Sequence, residues 1–254
     1  MDDFVSDNFF HLRYFGWFII FSFFFLLVEL FSNFRKRKIM FSTLLIDFFY
    51  LFFNYFTTNF VITLGMLLHP FIKEYLVFFS WLSDLPFIIQ VLISLLLIDM
   101  NGYVVHRFMH SNRLTWPFHA IHHSSPNLYW IAAERSHPLN SIFGIFLTFS
   151  IFDSFLTSYA LVIASIISLG YSYFIHSGYP IHYHSFNKFF ISPLHHQIHH
   201  SKNSMHYDKN FAGMFSFLDV IFGTYFFDKS LTKIEVGVRS IPESLSKQLL
   251  HPFK

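Results

Sequence analysis

The sequence contains no cysteine. Disulfides, thiolate metal sites and cysteine nucleophiles are therefore excluded together. Charge is scarce. Asp, Glu, Lys and Arg make up 13% of the 254 residues, about half the share usual in a soluble globular domain. The formal net charge is only +2, which gives no electrostatic footprint for nucleic acid. No glycine-rich nucleotide or flavin fingerprint occurs, and no internal repeat of solenoid length is present.

What is abundant is apolar. Hydrophobic residues make up 54% of the chain, and Phe alone accounts for 40 positions. Mean hydropathy is +0.45. The apolar residues fall in long runs, which points to a membrane protein. We read the phenylalanine as lipid-facing bulk with no catalytic meaning.

The first run extends from about Tyr14 to Phe34 and carries one acid, Glu29. At about 1.5 Å per residue it is long enough to cross about 30 Å of hydrocarbon. Its leader, MDDFVSD, is acidic and no small-residue cleavage site follows, so a cleaved signal peptide is not expected. Arg35-Lys36-Arg37-Lys38 then marks the cytoplasmic side. A second segment runs from about Phe41 to Leu68, and its Asp47, Asn54 and Asn59 are expected to face other helices. A third covers about Leu76 to Met100, with Pro86 marking a kink or a helix start.

Residues 101–140 are polar. A further apolar stretch runs from Ile142 to Ile175, long for one span and short for two. Asp153, Ser154 and Ser158 near its middle predict a tight helical hairpin that dips in and returns. The expected fold is an all-α integral membrane protein. It has about four to five membrane segments, three spans plus the hairpin, under a cytosolic helical cap. The expected division is 1–98 for the N-terminal spans, 99–228 for a catalytic region that includes hairpin 142–175, and 229–254 for a C-terminal tail. Counting spans puts both histidine-rich segments on the cytoplasmic face.

The 17 histidines are the anomaly. All but His11, His69 and His251 lie between His106 and His206. His106 and His110 are four apart, so they share a helix face, with Asp99 and Tyr103 on the same stripe. FHAIHHSS supplies His119, His122 and His123, and HQIHHS repeats that spacing with His196, His199 and His200. His176 ends the apolar hairpin. Neutral imidazole binds borderline divalent ions, and a pair at four-residue spacing can hold one ion from one helix. A lone membrane histidine is more often a satisfied core residue than a ligand. Three such motifs on one side of a membrane argue for metal, and nine imidazoles suit two ions with four or five ligands each. All-nitrogen ligation leaves zinc, iron, copper and nickel open, although structural zinc normally uses cysteine.

The order HRFMH, HAIHHSS, HSGY and HHQIHHS, followed by DKNFAGMFSFLDVIFGTYF, resembles the fatty acid hydroxylase superfamily, also called the sterol desaturase family. The resemblance runs from about Asp99 to Phe227. Asp208, Asn210, Gly213, Asp219, Gly223 and Thr224 look most like its sterol desaturase and alkylglycerol monooxygenase branch. It implies metal ligation by His106, His110, His119, His122, His123, His176, His196, His199 and His200. Several members carry a tenth histidine where this chain has Ser172, leaving His182, His184, His195 and His206 as available replacements. The implied cofactor is two iron ions, with zinc possible in a purified form. The implied reaction uses O2 and two electrons from a ferredoxin or cytochrome b5-type donor to hydroxylate or desaturate a bilayer lipid. The alternative is a membrane zinc- or iron-binding or transport protein without oxygenase activity.

Other residues near the motifs have expected supporting roles. Arg135 and His137, in an Arg-x-His-Pro stretch, either support the site or cap a helix at the membrane interface. Asp99 is expected to orient a ligand imidazole through its second ring nitrogen, with Glu134 as a weaker choice. Asp208, Asn210 and Asp219 are expected to fix the loop that closes the site. Trp116 and Trp130 are expected at the interface.

Overall fold

The computed structural model describes residues 40–253, except 232, 233, 239, 240 and 243, together with isolated positions between 20 and 27. Apart from those positions, the expected first span and the Arg35–Lys38 run lie outside the described residues.

The described elements are helical. The first helix, α1, spans Phe41–Lys73 and continues as a 3-10 helix over Glu74–Asp84. The second, α2, spans Phe87–Ser111, with Pro86 as its N-cap. The expected break near residue 70 is therefore displaced. Pro70 sits inside α1, and the chain turns only at Leu85–Pro86, where Leu85 is extended. The residue before a proline disfavours helix.

After the short helix α3 (Trp116–His119) come α4 (Pro138–Ile151) and α5 (Ser158–Ile175). Three further short helices follow: α6 (Pro193–His199), α7 (Phe217–Ile221) and α8 (Leu245–Leu250). Among the described residues, three helical stretches are long and apolar enough to cross a membrane: Phe41–Asp84, Phe87–Ser111 and Ser158–Ile175.

One face of α1 shows why phenylalanine dominates. Phe48, Phe52, Phe56 and Phe60, spaced by four residues, are all exposed, whereas Asp47, Tyr50 and Asn54 are buried. Residues four apart share a helix face, so α1 presents a phenylalanine stripe outward and its polar groups inward.

The expected hairpin is a helix–turn–helix over 138–175, with Asp153 accepting from the Ser158 hydroxyl in the turn. Its arms lean on different neighbours: α4 packs mainly against α1, and α5 mainly against α2. Gln90 links two turns. Its amide donates to the Ser83 and Leu85 carbonyls, and its oxygen accepts from Thr157 N and Oγ1. The C-terminal residues fold back onto the rest: Lys202 N donates to Glu235 O, and Tyr50 donates to Gln248 on α8.

Candidate metal centre

The histidine motifs converge at one end of the bundle, where α2 and α5 terminate. They form two groups whose ligand nitrogens lie within 4.8 Å of one another: His106, His110, His119, His123 and His199, and then His122, His176, His196 and His200. The nine expected positions thus divide five and four. The second HxxHH lies on α6 as far as His199, with His200 as the helix's C-cap. The first is not one continuous helix, since α3 ends at His119 and a 3-10 turn carries His122 and His123. That break sends His122 to the second group while its neighbours join the first.

The chemistry of the donor set fits metal. Five imidazoles have Nδ1 against a carbonyl oxygen: His106 on Phe211 (2.7 Å), His119 on Asn140 Oδ1 (3.0 Å), His122 on Arg135 (3.2 Å), His176 on Ser172 (2.8 Å) and His199 on Lys209 (2.7 Å). A carbonyl only accepts, so each Nδ1 carries the proton and each Nε2 presents a lone pair. Nε2 of His122 and of His176 then face each other at 3.3 Å with no proton between them. Nε2 of His106 and of His199 are buried without a partner among the described residues. Burial and the neighbouring imidazoles push His122 well below its ordinary pKa, and burial takes His176 down to about 4. At neutral pH protonation does not relieve the opposed lone pairs. A cation does.

The remaining expected residues act at one remove. Asp99 touches no imidazole. Its oxygens accept from the backbone N–H groups of Gly213, Met214 and Phe215 at 2.6–3.0 Å. A Cβ on Gly213 would meet Asp99 Oδ1 at 3.0 Å, so glycine permits the approach. Asp219 holds the other end of that loop through Phe211 N and Ala212 N, and Thr224 joins it to the Tyr103 hydroxyl. Together they set the Phe211 carbonyl on which His106 is aligned. Asp208 is the carboxylate nearest an imidazole in this loop, 3.5 Å from His110 Nδ1. Asp208 and Asn210 both have positive φ, which bends the loop so that the Lys209 and Phe211 carbonyls turn inward.

Arg135 supports the second group. Its guanidinium pairs with buried Asp47 on α1 at 2.6 Å, Tyr129 donates to the same carboxylate, and its carbonyl receives His122. His137 is a helix cap: Nδ1 accepts from Leu139 N and Nε2 contacts the Leu249 carbonyl. Glu134 accepts from the Tyr173 hydroxyl, not from an imidazole, and burial pushes its carboxyl up to about 7. His182, His184, His195 and His206 belong to neither group; His195 caps α6 through Ser192. Trp130 is buried against Tyr173, and the half-buried Trp116 ring lies 4.9 Å from that of His110. Asn140, which aligns His119, was not legible beforehand; its only signal was its place two residues after Pro138.

A cavity of about 460 Å³ lies among α1, α2, α4 and α5 and reaches both groups, touching His106, His119, His122, His176 and His196. Its walls mix apolar residues such as Ile98, Val105 and Phe149 with polar ones.

A family model described as "Fatty acid hydroxylase" matches residues 91–224, just over half of the chain. Alkylglycerol monooxygenase of Danio rerio is 27% identical over 128 residues, covering 50% of this chain and 28% of that protein. Methylsterol monooxygenase 1 of Rattus norvegicus is 30% identical over 132 residues, 50% of this chain and 43% of its own length. An ornithine lipid hydroxylase of Rhizobium tropici is 24% identical over 177 residues, 68% of this chain and 53% of that one. The chain thus matches about a quarter to a half of these relatives. No solved structure matches.

Proposed function

Because the chain belongs to the fatty acid hydroxylase family, we propose that it is an integral-membrane oxygenase. It holds one iron ion in each imidazole group and oxidises a lipid that enters from the bilayer. The observation that carries this reading is the pairing of two largely buried imidazole groups, five of whose nine imidazoles present Nε2 lone pairs, with a cavity lined by the apolar helices. Relatives named as alkylglycerol and methylsterol monooxygenases support the lipid class.

Two iron ions, when bound by these groups, would supply the chemistry of O2 reduction and of hydrogen removal from an unactivated C–H bond. The balanced outcome of hydroxylation is R–H + O2 + two electrons + two protons giving R–OH + H2O; desaturation removes a second hydrogen instead. The protein's residues position and shield. His106, His110, His119, His123 and His199 hold the first ion, and His122, His176, His196 and His200 the second. Asp99 and Tyr103 position the first group through the 211–215 loop. Arg135 positions the second through its carbonyl, and His137 fixes the start of α4. Ile98, Val105 and Phe149 keep bulk water from the reacting carbon. The electrons come from a separate ferredoxin or cytochrome b5-type protein, which docks on the cytoplasmic face.

The test is expression of the full chain in a host of defined lipid composition, beside a His123→Ala variant. New hydroxylated or unsaturated lipids in the wild type alone support the reading. Identical lipidomes with full iron loading sink it for that host's lipids.

A further inference from the structure

Hydroxyl groups in the apolar helices of this protein normally turn back on their own helix. Thr57, Thr63, Ser94, Thr148, Ser150 and Ser154 each donate to the carbonyl four residues earlier. That is the usual way to satisfy a hydroxyl where water is absent. Three serines on α5 depart from the pattern. The hydroxyls of Ser165, Ser168 and Ser172 make no hydrogen bond among the described residues, and all three line the cavity beside the imidazole groups. Offsets of three and four put them on one face of α5. They span about 10 Å, and Ser172 lies one helical turn, about 5.4 Å, before His176.

A second observation comes from α1. Asn54 on α1 is 6% exposed and lines the same cavity. Its Nδ2 donates to the Glu134 carbonyl at 2.8 Å, which fixes the orientation of the amide, and its Oδ1 is buried with no partner among the described residues. Glu134 also lines the cavity, and only one of its carboxyl oxygens is engaged, by Tyr173. A buried acceptor without a donor is costly, so this wall is built for an occupant that donates.

We infer that this polar wall is a recognition site for a hydroxyl group on the lipid substrate, carried within a few bonds of the carbon to be oxidised. A hydroxyl both donates and accepts. It can satisfy Asn54 Oδ1 or Glu134 on one side and a serine hydroxyl of α5 on the other. An ether or ester oxygen only accepts, and leaves Asn54 unpaired. An unfunctionalised alkyl chain satisfies neither wall. The inference rests on the lipid-oxidising reading above and narrows its substrate class to lipid alcohols.

The test separates binding from chemistry by using zinc-loaded, redox-inert full-length protein in detergent micelles. The protein is equilibrated with equimolar 1-O-hexadecylglycerol, its dimethyl ether and n-hexadecane, and retained lipid is measured by mass spectrometry. The wild type should retain the diol at least about tenfold over the dimethyl ether, the discrimination of one satisfied hydrogen bond. A Ser165→Ala/Ser168→Ala/Ser172→Ala variant should bring that ratio to within about twofold at equal zinc content. The substitutions remove no hydrogen bond among the described residues, and alanine is the best helix former. Equal retention of diol and dimethyl ether by the wild type overturns the inference and leaves lipid oxidation standing. An unchanged ratio in the triple variant overturns the serine wall. Retention of none of the three probes overturns both the inference and the lipid-pocket reading.

Discussion

The two imidazole groups are held by different parts of the chain. The first leans on the 208–215 loop: Lys209 and Phe211 supply carbonyls, and Asp99 and Asp219 hold the loop's backbone amides. The second leans on the membrane helices. Its carbonyls come from Ser172 on α5 and from Arg135, which is tied to Asp47 on α1. The groups also differ in number, five against four. Each group therefore has its own support, and damage to one support should be readable at one group.

The largest effect should come from ligand loss in the smaller group. His176→Ala leaves three imidazoles there, whereas His110→Ala leaves four in the first. Metal analysis should show the second ion lost in His176→Ala, about one ion per chain remaining, and a smaller deficit in His110→Ala. Equal deficits would break the distinction.

Acid should act on both groups at once. His119, His122, His123, His196, His199 and His200 are held well below the ordinary imidazole pKa by burial and by one another, and burial takes His176 to about 4. Their folded pKa values lie below the unfolded value of about 6.5, so protonation favours the unfolded chain. Metal-free protein should be most stable above about pH 6.5 and lose stability as pH falls toward 4. Each tenfold loss of proton affinity on folding is worth about 1.4 kcal/mol per imidazole, so the summed effect exceeds that of any one contact. A thermal midpoint flat from pH 7.5 to 5 contradicts this.

Asp47→Ala leaves Arg135 buried without its partner. Loss of one member of such a pair costs about 3–5 kcal/mol. Thermal unfolding should record that loss, and the second group's ion should leave first on chelator titration. Asp99→Asn tests the other support. The amide cannot accept all three N–H groups, so the first ion should bind about 10–100-fold more weakly while the second is unchanged. The smallest effect is expected from Tyr173→Phe, which removes one bond to Glu134 and should cost about 0.5–1.5 kcal/mol of stability with metal content intact.

Much of the site was legible in the sequence because its ligands come at helical spacing in short motifs. The clustering of nine imidazoles and the turn at Asp153–Ser158 could be expected from local pattern alone. The assignment of His122 to a different group from His119 and His123 could not, because it depends on α3 ending at His119. Nor could the supports. Asp47 and Arg135 are 88 positions apart, and Asp99 meets Gly213–Phe215 more than 110 positions later. Spacing placed Asp99 on the ligand face and suggested an imidazole partner, but the loop amides at the helix face took its oxygens instead. The continuation of α1 through Pro70 runs against the local signal, because proline weakens a helix interior.

Everything proposed for this chain turns on its binding two iron ions in two separate imidazole groups. The direct measurement is metal content per chain with Mössbauer spectroscopy, on full-length protein expressed in iron-rich medium and purified without chelators. Two iron ions per chain are expected, falling to about one in His176→Ala. One ion per wild-type chain, or two zinc ions retained under iron-rich expression, would contradict the proposal.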